Sequence, residues 1–262
     1  MRDRDRDAGG HAGMGRNIAL LIDADNASPN SLDPALTILA ELGTVNIRRA
    51  YGNWSKAALK GWSRLIQRYA IEPQQQFDIT KGKNATDMKI TIDAMDLLYG
   101  GHVEGFGIMS SDSDFMPVAM RIRQNGLPVY GFGTDRTPEG FREACTRFID
   151  VGVLTAAEAV SDAGEREAGA EAPAPSDAVG AAASAPAVDP ELVALLGEAW
   201  KASRRDERGF ASLSEVGQRA GNRSSFDARN YGFSRLSELV KALPNFTTEQ
   251  REGGAVFVKR VR

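Results

Sequence analysis

The chain has 262 residues, 42% of them hydrophobic, and a net charge of −3, a composition that suits a soluble protein of one large or two modest domains. No stretch reaches the ~18–20 apolar residues of a membrane span, and the start MRDRDRDAGGHAGMGR lacks the apolar core of a secretory signal, so residues 1–15 read as a disordered tail. The lone cysteine, Cys145, excludes an intramolecular disulfide and a multi-cysteine zinc site, and with no export signal the expected compartment is the cytoplasm.

From residue 16 onward, apolar runs alternate with helical patterns. Residues 18–22 (IALLI) read as a buried strand, 34–42 as a helix, 44–51 as a strand and 56–69 as a helix. A weaker strand over 71–79 is interrupted by Pro73. A helix is expected over 86–99, a short buried strand over 106–109 and a helix over 115–124. A strand over 127–132, a helix over 138–145 and a last strand over 148–151 complete the series. Strands apolar on both faces, alternating with helices, predict an α/β fold in which a parallel sheet is covered by helices. In such sheets the ligand crevice lies beyond the carboxyl ends of the strands.

Two strands end in acid. The first runs into Asp23-Ala-Asp25-Asn26 and the later one into Ser110-Ser-Asp112-Ser-Asp114. A third candidate, Asp87, follows the loop TKGKNAT. At 100° per residue Asp87 shares the apolar face of its helix with Thr91, Ala94 and Leu98, whereas Lys89, Asp93 and Asp96 project to the opposite, solvated side. Converging carboxylates repel one another unless a cation neutralises them. An all-oxygen set selects Mg²⁺ or Mn²⁺ over zinc, and such ions suit phosphoryl chemistry. Any one acid after a strand also serves as a turn former or helix cap, and Asp25 is assigned that role. Lys81 and Lys83, with Arg48 and Arg49, are the cations expected to hold substrate phosphates.

Asp23-Ala-Asp-Asn26, the helix start Lys83-Asn-Ala-Thr-Asp87 and Ser110-Ser-Asp112-Ser-Asp114-Phe115 together resemble the NYN domain, the LabA-like branch of the PIN-like nucleases. The likeness spans residues 16–152. It implies a PIN-like (Rossmannoid) fold and a Mg²⁺- or Mn²⁺-dependent ribonuclease centre. On this chain the family's acids fall on Asp23, Asp87, Asp112 and Asp114, with Asn26 as a supporting catalytic polar group. Asp93 matches a further family acid, against the helical-face reading above.

Residues 153–187 are rich in alanine, acid and proline, with almost no large apolar side chains, and read as a flexible linker. Beyond it, 190–262 carries 13 basic against 9 acidic residues, a modest excess that suits nucleic acid. Helices are expected over 191–201, 212–220 and 236–243, the second with a capping box from Ser212 and Glu215. Short strands over 246–248 and 255–259 around a glycine turn complete a winged-helix pattern. The segment Phe226-Asp-Ala-Arg-Asn-Tyr231-Gly232-Phe233-Ser-Arg-Leu236 resembles the OST-HTH, or LOTUS, domain, placed over 188–262. That likeness implies binding of single-stranded or structured RNA, or in some members a protein partner. Arg223, Arg229, Tyr231, Arg235 and Lys241 are the expected contacts.

The whole reads as a ribonuclease with a recruiting domain. Its rivals are a non-catalytic RNA-binding regulator that retains an acidic pocket, and a phosphatase of small esters. The phosphatase reading rests on Asp23-Ala-Asp25 and is weakened by the Asn26-Ala-Ser-Pro continuation.

Overall fold

The computed structural model describes residues 16–77, 85–155, 189–251 and 253–261. Its centre is β1 (Asn17–Asp23), a strand buried at every position after the first. Because side chains alternate across a strand, Ile18, Leu20 and Ile22 enter one apolar cluster and Ala19 and Leu21 the other. Neither face of β1 can meet water, so helices must cover both.

Around β1 stand β2 (Thr44–Gly52), β3 (Glu72–Gln75), β4 (Gly105–Met109), β5 (Val129–Gly133) and β6 (Arg147–Asp150). All neighbours are parallel, in the order β3-β2-β1-β4-β5-β6. On one face α1 (Leu32–Leu42) and α2 (Ser63–Arg68) supply or flank Leu32, Ala35, Ile38, Leu39 and Trp62. On the other, α3 (Ala85–Gly100), α4 (Met116–Gln124) and α5 (Glu139–Ala144) supply Ile90, Ala94, Val118, Ile122 and Phe141. The predicted α/β sheet is therefore present, and its order reverses between β1 and β4, where ligands of such sheets bind.

Local departures have local causes. The helix expected over 56–69 divides into a 3-10 stretch, Ala57–Trp62, and the shorter α2. The strand expected over 71–79 is four residues long and lies at the sheet edge, where Pro73 has no ladder bond to donate. A 3-10 turn, Ser113–Phe115, precedes α4, whose first turn carries a proline that leaves no orphan N–H there.

In the second unit, α6 (Pro190–Ala202) starts at an Asp189 cap, with Asp189 Oδ1 accepting from the Glu191 N–H at 2.9 Å. Then come β7 (Ala211–Ser212), α7 (Leu213–Gly221), α8 (Leu236–Ala242) and the hairpin β8 (Phe246–Gln250) and β9 (Val256–Arg260), with β9 central in a three-stranded sheet. The turn at Tyr231-Gly232 is left-handed at Gly232 (φ 82°), a conformation that favours glycine. The expected capping box is absent: Ser212 Oγ contacts Ser214 Oγ at 2.8 Å, and Glu215 pairs with Arg219. Among the described residues no helix is long and apolar enough to cross a membrane.

The second unit docks on β6. Asn230 Nδ2 donates to the Phe148 carbonyl and Asn230 Oδ1 accepts from the Asp150 N–H, each at 2.8 Å. The Phe148 N–H donates to the Ser225 carbonyl at 2.8 Å. Arg229 bridges to Glu41 of α1, and the Ser224 and Ser225 hydroxyls donate to Glu143 of α5.

Candidate metal centre

Strand alternation aims the first acid. Asp23 follows Ala19 and Leu21 in parity and so belongs to the α3 side of the sheet. It is 1% exposed. Its Oδ2 accepts from Asn26 Nδ2 at 2.9 Å and from Ser110 Oγ at 2.8 Å. Its Oδ1 is the buried side-chain oxygen that lacks a hydrogen-bond partner among the described residues. Burial pushes the Asp23 carboxyl above the usual range, the Asn26 and Ser110 bonds pull it down, and the Asp25 charge adds a small upward push.

The second cluster hangs from β4, paired beside β1 with Met109 opposite Ile22. Ser110 Oγ accepts from the Asp112 N–H at 3.1 Å while donating to Asp23, so one hydroxyl ties the two strand ends together. Asp112 caps the following 3-10 turn by accepting from the Asp114 N–H at 2.9 Å. Asp112 thus caps the turn and also belongs to the carboxylate cluster. Gly133 makes room for the loop, since a Cβ there would stand 2.9 Å from Phe148 and 3.0 Å from the Ser110 carbonyl.

Asp87, on the first turn of α3, completes the group. One carboxylate oxygen each from Asp87, Asp112 and Asp114 lies within 4.8 Å of the others. Burial raises the Asp87 carboxyl to about 6, and the Asp23, Asp112, Asp114 and Asp25 charges push it the same way. Three such oxygens form a donor set that fits a hard divalent cation; Asp23 is outside this three-carboxylate group, although its charge acts on Asp87.

Asp93 corrects the helical-face reading. It is 5% exposed, not solvated. The buried stripe of α3 runs through Thr86, Ile90, Asp93, Ala94 and Leu98, and α3 packs on β1 and β2. There Tyr51 Oη donates to Asp93 at 2.9 Å, Lys89 Nζ lies at 2.7 Å and Arg49 at 3.5 Å. Burial, then the Asp93 charge, drives the Tyr51 hydroxyl far above its ordinary range. Asp93 is therefore an anchor of α3 on β2 through Tyr51, with its charge met by Lys89 and Arg49. Asp25 stays apart, accepting from Lys56 at 3.2 Å and Thr86 at 3.3 Å.

Of the expected phosphate contacts, those described are already engaged within the protein. Arg48 donates to the carbonyls of Val45 and Tyr69, and Arg49 pairs with Glu72 and Asp93. Lys81 and Lys83 lie outside the described residues. In the second unit Arg223, Arg235 and Lys241 are exposed, whereas Arg229 is held by Asp227 and Glu41, and Tyr231 donates to Asp189 at 3.4 Å. Ser110 and Tyr51 carry structural roles that the sequence reading left unassigned.

A six-stranded parallel sheet whose switch point gathers aspartates defines a PIN-like α/β fold. The NYN-domain model matches residues 17–154, more than half of the chain, and the chain belongs to that family, a family of nucleases. An OST-HTH/LOTUS domain, a kind that indicates RNA binding, matches residues 184–258. The uncharacterised protein MJ0482 of Methanocaldococcus jannaschii is 26% identical over 137 residues, 51% of this chain and 52% of that protein. The chain thus spans about half the length of that curated relative. Among solved structures, a Vibrio parahaemolyticus protein of unknown function, VPA0982, is 18% identical with a TM-score of 0.45, covering 54% of this chain and 96% of its own. A carbohydrate transporter from Acidothermus cellulolyticus, solved with myo-inositol, is 14% identical with a TM-score of 0.27, covering 56% of this chain and 43% of its own.

Proposed function

We propose that the chain is a cytoplasmic, Mg²⁺- or Mn²⁺-dependent ribonuclease whose OST-HTH/LOTUS domain recruits the RNA. The observation that carries this reading is the approach of the Asp87, Asp112 and Asp114 carboxylates to within 4.8 Å at the switch point of the sheet. Asp87, Asp112 and Asp114 would hold the cation, with Asp23 as the deeper acid. Asn26 and Ser110 orient Asp23 by donating to one of its oxygens, which leaves the other for the cation or for a water it holds. When bound, the cation activates water and stabilises charge on the attacking and leaving oxygens of a phosphodiester. Exposed Arg223, Arg235 and Lys241 are the RNA contacts assigned to the second domain, raising the local concentration of substrate rather than its intrinsic reactivity.

The test is cleavage of unstructured RNA by the pure full chain, with Mn²⁺ and with chelator, beside Asp112→Asn. Cleavage should require the cation and fall at least ~100-fold in the variant, the loss of several kcal/mol of transition-state stabilisation. Undiminished cleavage by the variant would falsify the role of Asp112. RNA binding with no cleavage under any cation would leave a binding regulator as the correct reading.

A further inference from the structure

Five of the large apolar side chains that stand exposed among the described residues lie on two adjacent helices. On α3 these are Met88 (64% exposed), Ile92 (52%) and Tyr99 (62%), and on α4 Met116 (38%) and Met120 (41%). Met95, half-buried because part of it packs on the core, continues the α3 row. Spacings of four, three and four residues keep 88, 92, 95 and 99 on one helical face. Arg121 ties the two helices' rows together by donating to Tyr99 Oη at 3.1 Å. The five residues expose on the order of 500 Å² of apolar surface, near the top of the ~300–600 Å² found for the largest patch on a monomer.

We propose that this face is the interface between two copies of the chain, packed through α3 about a two-fold axis. The spacing is the same read from either end. Antiparallel pairing about its midpoint therefore sets Met88 against the partner's Tyr99 and Ile92 against the partner's Met95, the self-complementarity that a two-fold interface requires. Methionine against an aromatic ring is itself a favourable pair. The apolar patch supplies more than half of the ~800 Å² that each side of a stable interface buries, leaving a polar rim for the remainder. Polyanion binding needs uncommitted cations. On this face Lys89 is paired with Asp93 and Arg121 lies over the Tyr99 ring, so apolar side chains outweigh available cations, which favours a protein surface over RNA. The pairing would place the two acidic centres at opposite ends of the helix pair, about 20 Å apart along it.

The experiment is sedimentation of the full chain over a concentration series, wild type beside Ile92→Glu. Wild type should dimerise, and the buried, unpaired charge should raise the dissociation constant at least ~100-fold. Far-UV circular dichroism and thermal melts must match between the two, and Met120→Glu serves as a second variant if Ile92→Glu does not fold. Register is read by oxidising a mixture of Met88→Cys and Tyr99→Cys proteins. The mixture should give a mixed disulfide that neither protein forms alone, the native Cys145 being buried. A wild type that stays monomeric overturns the proposal, as does dimerisation that survives Ile92→Glu. A monomer whose RNA affinity collapses in Ile92→Glu would reassign the face to nucleic acid.

Discussion

Among single residues, Asp87 is where the proposed cation site bears most directly on the fold. Its carboxyl keeps its proton up to about 6 in the folded chain, against an ordinary 3.8, chiefly because of burial and then the Asp23 charge. In that window the folded state binds more protons than the unfolded one, so this residue's contribution to stability falls as pH rises from 3.8 to about 6. Above it, the metal-free protein carries mutually repelling carboxylates, and a bound divalent cation relieves them. Asp87→Asn should therefore flatten the pH dependence of the metal-free melting temperature and raise it at neutral pH. The same change should cancel most of the stabilisation that Mn²⁺ gives the wild type. Thermal melts across pH, with Mn²⁺ and with chelator, check both, and an unaltered pH slope in the variant would remove Asp87 from the repelling group.

For the elements, the informative contacts are those that tie one to another. Asn230 uses its amide to satisfy both the Phe148 carbonyl and the Asp150 N–H of β6. Asn230→Ala should cost about 1–3 kcal/mol by leaving both unpaired, and hydrogen exchange at the Asp150 amide should accelerate. Unchanged protection there would show that the two units do not dock in this way. The sequence made the strands legible because burial on both faces leaves no polar alternation, and it located the acids because the runs at Ile22 and Met109 stop where the acids start. It misplaced Asp93 because an acid on a helix reads as solvated until its partners are known, and Tyr51 and Arg49 come from β2, more than 40 residues earlier. Ser110 went unassigned for a similar reason. A serine after a strand looks like a turn former, and only the pairing of β1 with β4 sets it beneath Asp23. Arg48 and Arg49 looked like free cations because nothing in the sequence reveals the carbonyls and carboxylates that hold them.

In the whole molecule, the proposed recruitment and the proposed cleavage can be separated by experiment. Reversing the charge of exposed Arg223, Arg235 and Lys241 together, each to Glu, should raise KM several-fold while leaving kcat nearly unchanged, because on the proposed reading they would hold RNA equally before and during the reaction. The apparent affinity for RNA should also become less steeply salt-dependent. A fall in kcat with KM unaltered would place these residues in the chemistry instead. The charge-reversed full chain is a cleaner test than removing the second domain, because of how the sheet ends. Its β3 side is short and carries Pro73, which discourages another strand from adding there. Its β6 side has no such guard of its own and is covered by Ser225 and Asn230. A chain cut at residue 155 would thus bare a row of unsatisfied main-chain groups on a sheet rich in apolar side chains, and its losses would report self-association as much as failed recruitment.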